Sequence, residues 1–121
     1  MRSPFAHQIV VEMATDADVR ALGGAVSAAV CGAWDHPGPC PLAPHHTAVE
    51  QQGERTTVRV LFATEPENEA RVRQLITDAL SAGAIVDPEG ATVVWRYLEG
   101  GPAEILNSEV MHAFRLVQSA G

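Results

Sequence analysis

A unit of strand, threonine box and helix occurs twice in this chain, and it limits the folds that the chain can adopt. Each copy has apolar residues at alternate positions, as in a strand with one buried face, followed by a Thr-x-x-acid box typical of a helix N-terminus. Apolar residues at helical spacing follow each box, which predicts one helix after each strand. The two copies are strand 8–13 with the box Thr15 to Asp18, and strand 55–63 with the box Thr64 to Glu67.

Two further strands complete the pattern. Residues 47–52 form an extended run joined to the second copy's strand by Gly53-Glu54, as in a β-hairpin, and residues 92–98 form a last strand after an Asp-Pro-Glu-Gly turn at 87–90. The order βαββαβ predicts a ferredoxin-like sandwich of the α+β class, with a four-stranded antiparallel sheet and two helices on one face. Within this sheet we expect strands one and three to be adjacent and parallel, with strand four beside strand one.

The C-terminal residues are expected to form an additional amphipathic helix. We predict this helix at about 103–117, with the core of the domain at 7–99 and residues 1–121 as a single domain. An apolar stripe on such a helix must be covered, either by the open sheet face or by another subunit. The predicted stripe consists of Leu106, Val110, Ala113, Phe114 and Val117.

Composition and charge argue against several classes of partner. The chain has eight arginines, no lysine and fifteen acidic residues, a formal charge of −7, so its surface repels nucleic acid and anionic lipid. No basic stretch at the N-terminus precedes a long apolar run, and no window approaches the roughly 18 apolar residues of a membrane span. We therefore expect a cytoplasmic protein that binds neither nucleic acid nor membrane. Abundant Ala, Val, Arg and Gly without Lys indicates a bacterial gene.

Two functions found on the predicted fold are not expected here, because the residues that they need are absent from particular positions. A copper chaperone needs Cys-x-x-Cys at the end of strand one, where this chain has Ala14-Thr15-Asp16. An RNA-binding sheet needs exposed aromatic residues among basic residues on strands one and three, and neither group is present. The fold alone therefore specifies no function.

One group of charged residues is expected on the open face of the sheet. With Ile9 and Val11 toward the helices, Glu12 faces the other way, as do Arg59 on strand three and, in one of two registers, Arg96 on strand four. Glu12 would then lie between two arginines on adjacent strands. This predicts either cross-strand salt bridges beneath the third helix or a site that binds an anion or carboxylate ligand.

Segment 31–47 contains both cysteines, three of the five histidines and four of the eight prolines. Zinc requires four thiolate or imidazole ligands, and the segment has enough of them. Their spacing lacks the paired Cys-x2–4-Cys or His-x3–5-His units of structural zinc sites, and the prolines favour an extended backbone. No cofactor is therefore expected, and a zinc site is retained as an alternative. Its ligands would be Cys31, His36, Cys40 and either His45 or His46.

Two other interpretations of this segment do not involve a metal. A thiolate at Cys40 with a neighbouring histidine as base is the minimum for nucleophilic catalysis, but nothing nearby in the sequence supplies an oxyanion hole. A disulfide from Cys31 to Cys40 is geometrically feasible, although the cytosol would reduce it. The simplest interpretation is a buried Cys31 and a rigid docking loop, since a proline-restricted loop loses little entropy on binding. The docking residues would be Trp34, His36, Leu42, His45 and His46.

These patterns favour a non-catalytic binding or accessory protein over an enzyme. We predict contact with a protein partner or a second copy of the chain, through loop 34–46 and also through the open sheet face. The first alternative is a small enzyme or ligand sensor whose pocket lies on the open sheet face and includes Glu12, Arg59 and Arg96. The second alternative is a zinc-stabilised module.

Overall fold

The computed structural model describes residues 1–31 and 42–118, which form six β-strands and three α-helices. The strands are β1 (Ser3–Glu12), β2 (His45–Gln52), β3 (Arg55–Thr64), β4 (Ala84–Val86), β5 (Thr92–Val94) and β6 (Arg96–Ala103). The helices are α1 (Arg20–Cys31), α2 (Glu69–Ser81) and α3 (Val110–Gln118). Short 3-10 turns at Pro66–Asn68 and Asn107–Glu109 precede α2 and α3. None of these three helices combines the length and apolarity needed to cross a bilayer.

Four strands form one antiparallel sheet in the order β2-β3-β1-β6. Strand β1 pairs with β3 and with β6, and both pairs are antiparallel. The prediction that strands one and three are neighbours is confirmed, but the predicted parallel orientation is wrong. The reason is the tight hairpin at Gly53, where φ is 63°. It reverses the chain between β2 and β3, so β3 enters its place beside β1 in the opposite direction.

Both of the first two helices begin later than their threonine boxes predict. Helix α1 begins at Arg20, and its first turn is capped by Asp18 rather than Thr15: the Asp18 carboxylate accepts the Arg20 N–H at 3.0 Å. The Thr64 hydroxyl donates to the Leu42 carbonyl at 3.0 Å. It therefore fixes the chain just before β2 and makes no cap for α2.

The last third of the chain departs most from its predicted elements. The strand expected at 92–98 is divided, because β5 pairs with β4 in a separate two-stranded sheet while β6 pairs with β1. The helix expected from residue 103 begins only at Val110, because β6 continues along β1 as far as Ala103. Gly100 permits this: a Cβ there would lie 2.5 Å from Cγ1 of Ile9, so only glycine lets β6 pass so close to the core.

The main core lies between the sheet and the first two helices. Alternate residues of β1 and β3, such as Ile9, Val11 and Val58, face α1 and α2, as the two-residue period predicts. They pack against apolar residues of α1 that include Leu22 and Val26, which are fully buried. Each such side chain contributes roughly 1.5–3 kcal/mol relative to the exposed state.

Helix α3 packs on the opposite face of the sheet. Its Leu116 is buried against Ala6, Leu61 and Ala63, which form a second, smaller core, and Ala113 is also buried. The sheet therefore has helices on both faces, and the face predicted to be open is partly covered by the chain itself.

Trp95 links the C-terminal part of the chain to the end of α2. Its buried indole donates Nε1–H to the Leu80 carbonyl at 2.7 Å, in the last turn of α2, where carbonyls lack partners within the helix. We expect Trp95→Phe to lower the free energy of unfolding by about 1–3 kcal/mol, because the carbonyl loses its donor and the core loses ring volume. Urea unfolding followed by circular dichroism measures this change. A loss below about 0.5 kcal/mol, typical of a surface substitution, would contradict it.

Candidate functional site

The Pro/Cys/His-rich segment lies only partly within the described residues. Trp34, His36 and Cys40, which were predicted to serve in docking or in zinc binding, lie outside the described residues. Leu42 packs against the main core. His45 and His46 begin β2, where successive side chains point to opposite faces of the sheet. The two histidines therefore cannot act at one site, and each has its own surroundings.

His45 faces α1 and joins it to β2. Its Nε2 lies 3.0 Å from the Ser27 hydroxyl, and its Nδ1 lies 3.1 Å from the Ala43 carbonyl. Because a carbonyl only accepts, the ring proton is on Nδ1, and the Ser27 hydroxyl donates to Nε2. This resembles the hydrogen-bonded chain of a serine nucleophile and its base. However, the backbone N–H groups around Ser27 are inside α1 and already bonded there, so they cannot bind an oxyanion.

The described metal candidates do not converge. The Cys31 sulfur lies 3.7 Å from Nδ1 of His45, which makes His45, and not His46, its neighbour. Cys31 is disulfide-bonded, so its sulfur is not the thiolate that zinc requires. Within residues 1–31 and 42–118, no three His, Cys, Asp or Glu side chains are grouped closely enough to hold a metal ion. The zinc alternative therefore receives no support from the described part of the chain.

His46 lies on the other face, where it meets α3. Its ring and that of His112 are 4.3 Å apart between centroids and tilted by 44°. Burial, followed by the nearby His112 and His45, lowers the pKa of His46, while Glu109 opposes that shift. The contact between the two rings helps to hold α3 against β2, and the lowered pKa keeps His46 neutral at neutral pH.

The group predicted from Glu12, Arg59 and Arg96 is not assembled. Glu12 and Arg96 are cross-strand partners, with a salt bridge of 3.2 Å, as one of the two predicted registers requires. The residue opposite Glu12 on β3 is Arg55, not Arg59, so grouping Arg59 with Glu12 was wrong by four positions in register. Arg55 in turn is paired with Glu99 at 3.5 Å, so these contacts are separate exposed ion pairs.

Arg59 instead anchors the chain that leads into α3. Its guanidinium donates to both carboxylate oxygens of Glu109, at 2.6 and 2.9 Å, to the Gln8 side chain at 2.9 Å and to the Glu104 carbonyl at 2.7 Å. Hydrogen bonding to Arg59 lowers the pKa of Glu109, and the same contact raises that of Arg59. The carboxylate expected from a ligand at Arg59 is thus supplied by the protein itself. The same carboxylate accepts the Leu106 N–H at 2.9 Å, which fixes the turn before α3.

Part of α3 is exposed, although its apolar stripe was expected to be covered by the open sheet face or by another subunit. The predicted stripe was only partly correct, since the buried side chains are Ala113 and Leu116. Among the side chains left outward are Val110 and Phe114 at 51% and 55% exposure, and Met111 at 64%. The sequence did carry a signal, because apolar residues occupy almost every position from 110 to 117, too many for one stripe.

This exposed side borders an apolar groove of about 410 Å³ between α3 and the start of β1. Its lining includes one arginine and no carboxylate. The residues that line it are Arg2, Pro4, Ile105, Val110, Ala113, Phe114 and Val117. A second depression of about 300 Å³ on the same face of the sheet lies beside Gln8 and residues 99–103, and neither Arg59 nor Arg96 lines it. We call Leu106, Val110, Met111 and Phe114, together with the groove, the α3 patch.

Comparison with known proteins gave no matching family model, no matching curated protein and no matching solved structure. Function must therefore be argued from the residues and geometry of this chain.

Proposed function

We propose that this chain is a non-catalytic binding protein that contacts another protein through the α3 patch. The supporting observation is the exposure of Leu106, Val110, Met111 and Phe114, each at least half exposed on one short segment. Large apolar side chains clustered on a surface mark interaction sites, whereas single ones do not. Aromatic and methionine side chains are enriched at protein interfaces, and methionine adapts its shape to a partner.

The proposal also includes a ferredoxin-like topology for the fold and a role in binding for loop 34–46. The strand order β2-β3-β1-β6, with α1 and α2 on one face, supports a ferredoxin-like sandwich to which β4, β5 and α3 are additions. Loop 34–46 is a second contact surface in this proposal. Of its residues, Leu42, His45 and His46 contact the core, α1 and α3 respectively.

Cytoplasmic location and bacterial origin stay predictions from the sequence. The disulfide-bonded state of Cys31 weighs against the first of them, because disulfides persist mainly in oxidising compartments. The enzyme alternative is not adopted, because Glu12 and Arg96 pair with each other while Arg59 makes four hydrogen bonds to Glu109, Gln8 and Glu104. A guanidinium has five N–H donors, so Arg59 has little capacity left for a substrate.

Site-specific photo-crosslinking in the native cell tests the proposed function. A photoreactive residue replaces Met111 in the α3 patch, and in a control protein it replaces Gln74, an exposed residue of α2. We expect a discrete crosslinked protein, identified by mass spectrometry, from position 111 and none from position 74, because only the first position lies in an apolar interface. Equal crosslinking at both positions, or none at position 111, would refute the proposal.

A further inference from the structure

Helix α3 is apolar on two sides, and only one of them is covered. Leu116 is buried against the sheet and Ala113 is also buried, while Val110, Met111 and Phe114 are at least half exposed. A helix that is apolar all round belongs in an interior, so a second surface is expected to lie over α3. Resting on the proposed function above, we propose that the occupant is a second copy of this chain, with the two α3 patches in contact about a two-fold axis.

The exposed area is large enough for a dimer of this kind. The four large apolar side chains of the patch are 50–64% exposed and together leave on the order of 400 Å² of mainly apolar surface in each copy. Two copies would remove about twice that area from these side chains alone, and the groove lining adds to it. The total approaches the 1,000 Å² or more that a specific interface buries. A patch of this size also lies within the range that marks functional surfaces on single chains.

The patch places an exposed apolar side chain beside the groove. Met111, at 64% the most exposed large apolar residue of α3, directly follows Val110, which lines the groove. The groove holds about 410 Å³, space for roughly a dozen waters at ~30 Å³ each, and so accepts a large side chain. Each copy thus offers a protruding apolar side chain next to an apolar groove. A two-fold axis places the protruding side chain of each copy in the groove of the other, as an isologous interface requires.

Charge also favours this surface for contact between copies. The chain carries a formal charge of −7, so most orientations of two copies bring carboxylates together. The groove lining has no carboxylate, and the nearby Glu109 is neutralised by Arg59 at 2.6 Å. The groove lining therefore adds no repulsion between carboxylates when two α3 patches meet.

Analytical ultracentrifugation of the purified full chain from about 1 to 100 µM tests the inference. We expect the wild-type protein to reach twice the mass of a single chain. Val110→Asp and Met111→Asp should each raise the dissociation constant roughly a hundredfold or more, because a two-fold axis buries the new carboxylate twice. Both substitutions fall in the first turn of α3, where an acidic residue favours the helix, so folding should be retained. Circular dichroism and a thermal melt verify that both variants are folded.

Val86→Asp is the matched control, since Val86 is 61% exposed on β4, outside the α3 patch, and should leave the dimer intact. A wild-type monomer at every concentration would overturn the inference. So would a dimer that Val110→Asp and Met111→Asp leave unchanged. In either case the proposed function is judged separately by the crosslink at position 111: a different protein captured there supports a heterologous partner, and no captured protein refutes both proposals.

Discussion

Replacing Arg59 with methionine is expected to lower the free energy of unfolding by about 3 kcal/mol, the low end of the range for breaking a buried ion pair. The side chains of Arg59 and Glu109 are only 16% and 15% exposed. Methionine fills much of the arginine volume but leaves the Glu109 carboxylate without a counter-ion in a place that water reaches poorly. Urea unfolding at neutral pH, followed by circular dichroism, measures the loss.

Two further variants separate the buried pair from a general effect of losing an arginine. Replacing both Arg59 and Glu109 with methionine removes both charges and should restore most of the lost stability, since an apolar pair needs no counter-ion. Arg55→Met is the matched control on the same strand and the same face, because the Arg55–Glu99 pair is 59% and 69% exposed. We expect it to cost less than about 1 kcal/mol. Equal losses from Arg59→Met and Arg55→Met would show that the buried pair has no special role.

The same substitution should also loosen α3 before the rest of the molecule unfolds. Arg59 connects β3 to Gln8 on β1 and to Glu104 and Glu109 on the segment before α3, so it is the main polar link between that segment and the sheet. Amide hydrogen exchange should therefore quicken most over residues 104–118 in Arg59→Met. If the proposed dimer forms through α3, this variant should also weaken it without any change in the patch itself.

The strand faces could be predicted from the sequence because alternation is a local property. The burial of Ile9, Val11 and Val58 follows from the two-residue period, and the hairpin follows from Gly53. The register between β1 and β3 could not be predicted in this way. It depends on the length of the whole α1 crossover and on the hairpin. The predicted partner of Glu12 was therefore four residues away from the actual one along β3.

The candidate site was harder to predict, because the local sequence around its residues is compatible with more than one structure. Thr64 has the sequence context of a helix cap, but its hydroxyl finds a better-placed acceptor at the Leu42 carbonyl, a contact that no local pattern reveals. Residues 110–117 fit several apolar stripes equally well, and the pairing of Arg59 with Glu109 selects one of them. The exposed patch is what remains after that selection, so it becomes visible only in the folded chain.

Acidification from about pH 6.5 to pH 4 is expected to remove about 3 kcal/mol of stability through His7 alone. His7 lies on β1 beneath α2 and is only 3% exposed. Its Nδ1 is 3.0 Å from the Arg73 guanidinium, and its Nε2 is 3.4 Å from the Thr77 hydroxyl. Because arginine only donates, Nδ1 is the acceptor, and the proton of the neutral ring is on Nε2.

A second proton on His7 has no acceptor in this position. Burial, and then the neighbouring positive charge of Arg73, lower the pKa of His7 from 6.5 to about 4. The unfolded chain therefore binds the proton first as the pH falls. The stabilising effect of a neutral His7 is complete above about pH 6.5, declines below it, and is lost by about pH 4, where the folded protein also takes up the proton.

His7→Gln provides the test, because glutamine can accept from Arg73 and donate to Thr77 but does not titrate. Urea unfolding at several values between about pH 7 and pH 5 should give a slope of stability against pH that is much flatter in this variant than in the wild-type protein. His46→Gln is the control: its pKa is also lowered, but His46 is more exposed than His7, so its removal should flatten the slope less. Restricting the range to values above pH 5 keeps most carboxylates ionised, so the histidines dominate the slope. Parallel slopes for wild type and His7→Gln would mean that the imidazole beneath α2 is not the group that makes the fold sensitive to acid.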